Sequence, residues 1–417
     1  METKIKITDP ARIVNWVRRK AHSGVRRLCL AAIRRGVPAS RFGYRHVVPE
    51  APEQHVARMK AAGIASARFE TIFSQERAAN SLPVNVTDRD QLPKDAGWWG
   101  YSMWDVPQRQ SEHTYIAAIP EAQIITFVDS QKRFWPAILS RDETAINLRE
   151  IVFRDGHAAT LRRQRREGAT PQHFSKATWI LERVYDNHSH WLTAHLPKLC
   201  LLRERGQLDD VILPRQLKPS MEASLRMMGL DPAAFRTFDP ARPLAVDELT
   251  ILGTDRFRPE LLRPVRAAIM PAAENPARRV YISRSRARFR RLENEEEIWP
   301  LLEARGFERV WMEDLDFAAQ VKLMSETKVL AGPHGAGLTN MMFCPEGAHV
   351  IEIAWLGFPN PNFYAVAAAM GHDYSIVSAA AFGDVRPLER DLRVDPRAVQ
   401  DALGTLDNAA AGLRSTG

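Results

Sequence analysis

The sequence runs to 417 residues, more than one hydrophobic core usually organises, and its 45% hydrophobic and 26% charged residues exclude a disordered or fibrous chain. A formal net charge of +8 and a pI of about 9.5 favour anionic partners (phosphates, nucleic acid or an acidic membrane face) without choosing among them. Three distant cysteines, Cys29, Cys200 and Cys344, no apolar run near the roughly 18–20 residues of a membrane span, and a start, METKIKITDPAR, without the apolar core of a secretory signal set the expectation of a cytoplasmic protein with no disulfide framework or cysteine-type zinc site.

Residues 1–95 read as a helical, basic appendage that ends in the turn-rich segment SLPVNVTDRDQLPKDAG. Within it, Ile13, Trp16, Val17, Val25, Leu28 and Ile33 are interleaved with Arg18, Arg19, Lys20, Arg26, Arg27, Arg34 and Arg35. Such a helix either packs its apolar side on the body, with the basic side solvated, or lies peripherally on the inner face of an anionic membrane.

Residues 96–265 read as a first domain. TYIAAI and AQIITFV suggest a small antiparallel element, and LRRQRREG (161–168) a solvated charge run. KATWILERV, WLTAHLPKLCLLRERG, DDVILP and MEASLRMMG then alternate strand and helix, which predicts parallel β-α-β units. After a proline-rich stretch from Arg258 to Pro276, residues 266–417 form a second series: strand RRVYISR, helix NEEEIWPLLEARG capped by Asn294, strand FERVWM, helix DFAAQVKLMSET, strand KVLAG, short helix LTNMMF and strand HVIEIAW. The expected fold class is α/β, with two Rossmann-like domains.

The most informative stretch is KVLAGPHGAGLTNMMFCPEGAHVIEIAW. A strand ends at Gly332, a loop carries His334, Gly335, Ala336 and Gly337, and a helix starts near Leu338. Backbone N–H groups at such a helix start suit a diphosphate, and ligands of open α/β sheets bind at the carboxyl ends of strands. A plain glycine-rich turn fits the loop equally well. The order G-x-x-G-x-G differs from the dinucleotide fingerprint, and no P-loop occurs.

Arg284 follows the strand Val280–Ser283 and emerges at the same sheet edge as His334, where a guanidinium can grip phosphate through two hydrogen bonds. Arg286, Arg288, Arg290 and Arg291 extend the positive charge and read as solvated or supporting. YDNHSHWLTAHLPKL holds three of the twelve histidines, His188, His190 and His195. No HExxH or carboxylate pair completes a metal set, so His190 at a helix start is the candidate proton acceptor for an acceptor hydroxyl.

Together these segments resemble glycosyltransferase family 61, with its "HW-L--LPRL" element, a strand ending in "SR", an "NE-E" helix start and a "GxHGAGLTN" loop followed by "viE". The matching residues are Asn187, His190, Trp191, Leu196, Pro197 and Leu199, then Ser283, Arg284, Arg291, Asn294 and Glu296, then Gly332, His334 to Asn340 and Glu352. Two departures stand out: Ala194 replaces an acidic residue common in the family, and Lys198 replaces an arginine.

The resemblance implies a GT-B fold and an inverting, metal-independent transferase that needs no cofactor. It would use a nucleotide-diphosphate sugar, with UDP expected, and a glycan or glycolipid hydroxyl of capsule or another cell-surface polysaccharide. His190 and His334 are the catalytic candidates; Arg284, Asn294, Gly335, Ala336, Gly337, Asn340 and Glu352 would hold the donor, Glu352 through ribose hydroxyls. Two alternatives remain: a catalytically silent member that binds sugar nucleotide or glycan, suggested by Ala194, and a basic nucleic-acid-binding protein, which lacks any reading motif. No nucleic-acid partner is expected.

Overall fold

The computed structural model describes residues 24–97, 99–270 and 276–414. The architecture is mixed α/β and GT-B-like, with two sheet-containing lobes and helices at the N-terminal end.

The first lobe is built on β1 (Pro49–Glu50), β2 (Arg68–Phe73), β3 (Thr114–Val128), β4 (Phe134–Leu139), β5 (Ala145–Ile146), β6 (Gln172–Trp179), β7 (Ile212–Pro214), β8 (Arg236–Phe238) and β9 (Leu244–Gly253). Seven strands run in the order β1-β5-β4-β3-β9-β6, with β2 also on β3. TYIAAI and AQIITFV are two halves of β3, which pairs antiparallel with β2, β4 and β9. The expected β-α-β units are present: β7 and β8 are parallel, and a parallel bridge joins Thr178 to Val211 across the helix at 188–204. Leu196–Leu202 are all buried, so this crossover helix lies inside the lobe.

The second lobe carries β10 (Arg278–Ile282), β11 (Phe307–Val310), β12 (Thr327–Pro333), β13 (His349–Ala354), β14 (Asp373–Phe382) and β15 (Asp391–Val394), in the order β11-β10-β12-β13-β14-β15. All pairings are parallel except β14–β15. Every residue of β13 is buried, as a central parallel strand covered on both faces requires. Alternate residues divide between two cores. Val280 and Ile282 join an apolar cluster shared with the first lobe, whereas Tyr281 faces Ile298, Leu302 and Leu403.

Two regions differ from the sequence expectation. The appendage contributes β1 and β2 to the first sheet, because RFETIF docks along the free edge of β3 and leaves its charges outside. The proline-rich stretch holds the helix Pro259–Ile269, with Pro259 in the first turn, where its missing N–H costs nothing, and Leu261, Leu262, Val265 and Ile269 buried at helical spacing. It packs on both Leu196–Glu204 and Asn362–Met370, and so joins the lobes.

Residues 81–85 form a second join. Val84 N–H donates to Tyr374 O at 2.7 Å, the Asn85 side chain exchanges bonds with Ile376 at 2.8 and 3.1 Å, and the Tyr364 hydroxyl donates to Ser81 O at 2.5 Å. Of the basic amphipathic segment, 24–34 is a helix with Val25 and Leu28 exposed, and residues 13–23 lie outside the described residues. No helix among the described residues is long and apolar enough to cross a membrane.

Candidate functional site

At the carboxyl end of β12 the chain extends its pairing one residue beyond the strand, through His334 N–H to Ile353 O at 2.8 Å, and then turns into the 3₁₀ helix Ala336–Phe343. Gly332 is required by close packing, since a Cβ there would lie 3.0 Å from Ile282 O. Gly335 makes room for a cation, because its Cβ would stand 2.2 Å from Arg284 Nη1. Ala336 and Gly337 are half-buried at the rim, beside the helix start, where first-turn N–H groups lack helical partners.

Arg284 is clamped by its own loop, Nη2 donating to Phe289 O at 2.8 Å and Nε to Arg290 O at 3.2 Å. Burial lowers its pKa, and burial followed by the Arg284 charge pushes Arg290 down to about 10. Arg290 also has φ of +58° and a buried Nε without a partner. Two desolvated guanidiniums that repel each other form a site that an anion stabilises. Arg290 shares a narrow slot with His334, Trp355 and Asn360. Sequence reading passed over Arg290 as supporting charge, and nothing in the RSRARFRR spacing distinguishes it.

His334 is 8% exposed and held on both nitrogens. Nδ1 donates to Glu352 Oε1, and Nε2 accepts from the Asn360 amide at 3.2 Å. The Tyr374 hydroxyl donates to Glu352 Oε2 at 2.5 Å, so both carboxylate oxygens are engaged. Glu352 is therefore not open to a ribose: at 1% exposure it orients His334 instead. Burial pushes the His334 imidazole below its ordinary pKa of 6.5, against the pull of Glu352, which leaves a neutral ring with its lone pair on Nε2. A base oriented by a carboxylate on its far nitrogen is the arrangement of acid–base enzymes.

Asn340 and Asn294 do not join this group. Asn340 is fully buried; its Oδ1 accepts from His188 Nε2 at 2.8 Å across the lobes, and its amide donates to Gln320 at 3.1 Å. Asn294 pairs through both side-chain atoms with the backbone of Val394, at 2.8 and 3.1 Å, and so ties its helix to the edge strand.

The histidine segment divides its labour. Asn187 caps the helix start, and residues 191–195 form a π-helical turn. Pro197 lacks the N–H that would bond Thr193 O, and the wider turn absorbs that defect; such π segments are frequent at functional sites. His188 is the histidine that reaches the glycine loop. His195 is fully buried, Nδ1 donating to His190 O at 2.9 Å and Nε2 accepting from Glu182 N–H at 3.0 Å, so it is held as a structural residue. His190 has a buried Nδ1 without a partner, and its pKa is driven well below 6.5 by burial first and then by Arg256.

A cavity of about 440 Å³ opens in the first lobe. Its wall includes Trp99 and Tyr101, whose indole N–H and hydroxyl bond Pro359 O at 3.0 Å and Asn362 Oδ1 at 2.9 Å; these flank the Asn360 that meets His334. Deeper lie two buried ion pairs: Asp255, bidentate to Arg109 at 2.8 and 2.9 Å, and Glu182, 2.6 Å from Lys198. Burial alone would raise the Glu182 carboxyl, but the Lys198 ammonium holds it at about 2. The segment Asp255-Arg256-Phe257-Arg258, buried throughout, was not singled out in the sequence; its alternating charge in a run of four is the signal that was there.

Two α/β lobes meet beside a glycine loop, an arginine pair and a carboxylate-backed histidine. Residues 188–351, less than half of the chain, match the family model Glycosyltransferase 61, and a domain of that family is present. A stretch of 87 residues is 38% identical to the EGF domain-specific O-linked N-acetylglucosamine transferase of Drosophila melanogaster, and covers 20% of this chain and 16% of that protein. Among the described residues, no three His, Cys, Asp or Glu side chains are grouped to hold a metal ion.

Proposed function

We propose that the chain is an inverting glycosyltransferase that moves a sugar from a nucleoside diphosphate, UDP by preference, to a hydroxyl of a glycan acceptor. The observation that carries this reading is His334, fixed by Glu352 on Nδ1 and meeting the Asn360 amide through Nε2 in the slot it shares with Arg290. The acceptor O–H takes the place of the Asn360 amide and gives its proton to His334 Nε2 while its oxygen attacks the anomeric carbon. The C–O bond to the diphosphate breaks on the opposite face, and the charge left on the nucleotide is met by the two arginines and the 335–337 amides. Inversion follows from a single in-line displacement. The name of the Drosophila relative adds N-acetylglucosamine to the sugars to be tried. The setting we propose is the cytoplasm, with the 24–34 helix against the inner membrane face and a capsular or other cell-surface polysaccharide as product.

Arg284→Ala is expected to weaken UDP binding by about 1.5–3 kcal/mol, roughly 10- to 150-fold, as loss of a charge-assisted bond does. Calorimetric titration with UDP measures it, and unchanged affinity in a folded variant removes Arg284 from the diphosphate site. Transfer in excess EDTA should be largely retained. Complete loss of activity restored by Mg²⁺ or Mn²⁺ would reject the metal-free mechanism.

A second reading makes His190 the base, favoured by its unpartnered Nδ1. Alanine variants at both histidines separate the two.

A further inference from the structure

We propose that the 440 Å³ cavity of the first lobe seats one uncharged sugar ring of the acceptor, recognised through Glu182, Asn147 and Thr254. The proposal rests on the glycosyl-transfer reading and adds to it the chemical class of the acceptor.

Three oxygens at this cavity have no hydrogen-bond partner: Glu182 Oε2, Asn147 Oδ1 and Thr254 Oγ1. A buried polar atom left without a partner costs about 1–3 kcal/mol, so a ligand that supplies donors is stabilised there. The two deep carboxylates are already neutralised, Glu182 by Lys198 and Asp255 by Arg109. What Glu182 offers is therefore acceptor capacity rather than net charge. Hydroxyls suit it better than an ammonium group, which would leave the Lys198 pair over-charged.

Aromatic rings also line the cavity. Phe69 and Tyr115 stack with ring centroids 4.7 Å apart, and Tyr101 and Trp99 close the side toward the second lobe. Aromatic rings and hydrogen-bond acceptors in one cavity match a pyranose ring, which has C–H faces and a rim of hydroxyls. The volume lies within the usual range for small-ligand sites, about 300–1,000 Å³.

Charge sets the class. The carboxylates of Glu53, Glu112, Glu182 and Asp255 line the cavity against the guanidiniums of Arg109 and Arg149. Arg109 is committed to Asp255, and Glu53, Glu112 and Arg149 all stand exposed at the rim, two carboxylates against one guanidinium. A uronic acid or a phosphorylated sugar would bring its anion among carboxylates. A neutral hexose would not.

The test is ligand-observed saturation-transfer NMR on the full chain, with the methyl glycosides of glucose, galactose and mannose and the methyl glycoside of galacturonic acid as probes. At least one neutral glycoside should bind and the galacturonoside should not. Thr254→Val and Asn147→Ala, each checked for an unchanged melting temperature, should weaken the neutral glycoside by about 3- to 10-fold, one hydrogen bond each. Both should leave UDP affinity as in the parent. Equal or stronger binding of the galacturonoside, no binding by any neutral glycoside, or full binding in both variants would overturn the proposal. If glycosides bind as expected while UDP binds nowhere, the cavity stands and the transfer reading falls.

Discussion

His334→Ala is expected to lower the rate of transfer by about 10²- to 10⁴-fold, the usual contribution of a positioned general base, while the variant keeps its fold. The effect depends on the second ring nitrogen. Glu352 holds Nδ1–H, so the Nε2 lone pair, which the Asn360 amide occupies at rest, is the one an acceptor hydroxyl would engage, and only the neutral ring can take the acceptor proton. Because burial lowers the pKa of His334, activity should persist as pH falls past 6.5 and fail only below it, and this acidic limb should vanish in the alanine variant. Glu352→Gln removes the charge that orients the ring. It should lower kcat, leave UDP affinity nearly unchanged and move the acidic limb further down, since Glu352 raises the His334 pKa. A His334→Ala enzyme with near-parental kcat, beside a His190→Ala enzyme that has lost its acidic limb, would transfer the role of base to His190.

Lys198→Met is expected to destabilise the fold by about 3–5 kcal/mol, because it leaves the buried Glu182 carboxylate without its counter-ion. In the parent, Glu182 has a folded pKa of about 2, depressed from an ordinary 4.5. A depressed carboxylate contributes stability that is complete above the unfolded pKa and is lost as pH falls from about 4.5 toward 2. In the Met variant the unpaired carboxyl shifts the other way and protonates readily, so the deficit should shrink as the medium is acidified. Denaturant titrations at neutral pH and near pH 4 measure both effects. Lys198→Met combined with Glu182→Gln should recover much of the loss; a deficit of the same size in the double variant would show that packing, not charge, is at stake.

The second lobe was legible because its strands are apolar runs with glycine or helix between them, and β13 keeps that character through HVIEIA. The parallel β-α-β units of the first lobe were legible for the same reason. Pro259–Ile269 was hidden by its own prolines, since burial of four apolar side chains outweighs one missing N–H in mid-helix. Arg284, His334 and the loop glycines declare themselves by position at strand ends. Glu352 does so too, yet its role depends on Tyr374, a neighbour on the adjacent strand that no local pattern points to. The cavity could not be read at all. Its wall draws on residues from Ala51 to Asp255, and only the folded chain brings those together.

The bonds between residues 84–85 and 374–376 carry a consequence for how the molecule is made. A chain growing from its N-terminus presents Val84 and Asn85 well before their partners, which lie on β14. The first lobe can gather its own sheet as it emerges, since domains form in order during synthesis. This link to the second lobe has to wait for β14, and it closes a loop of nearly 300 residues, since Asn85 and Ile376 are 291 apart in sequence. The same late strand brings Tyr374 to Glu352 and so completes the setting of His334. A chain that has not yet reached β14 therefore has its first sheet but lacks the Tyr374 hydroxyl that engages Glu352 behind His334.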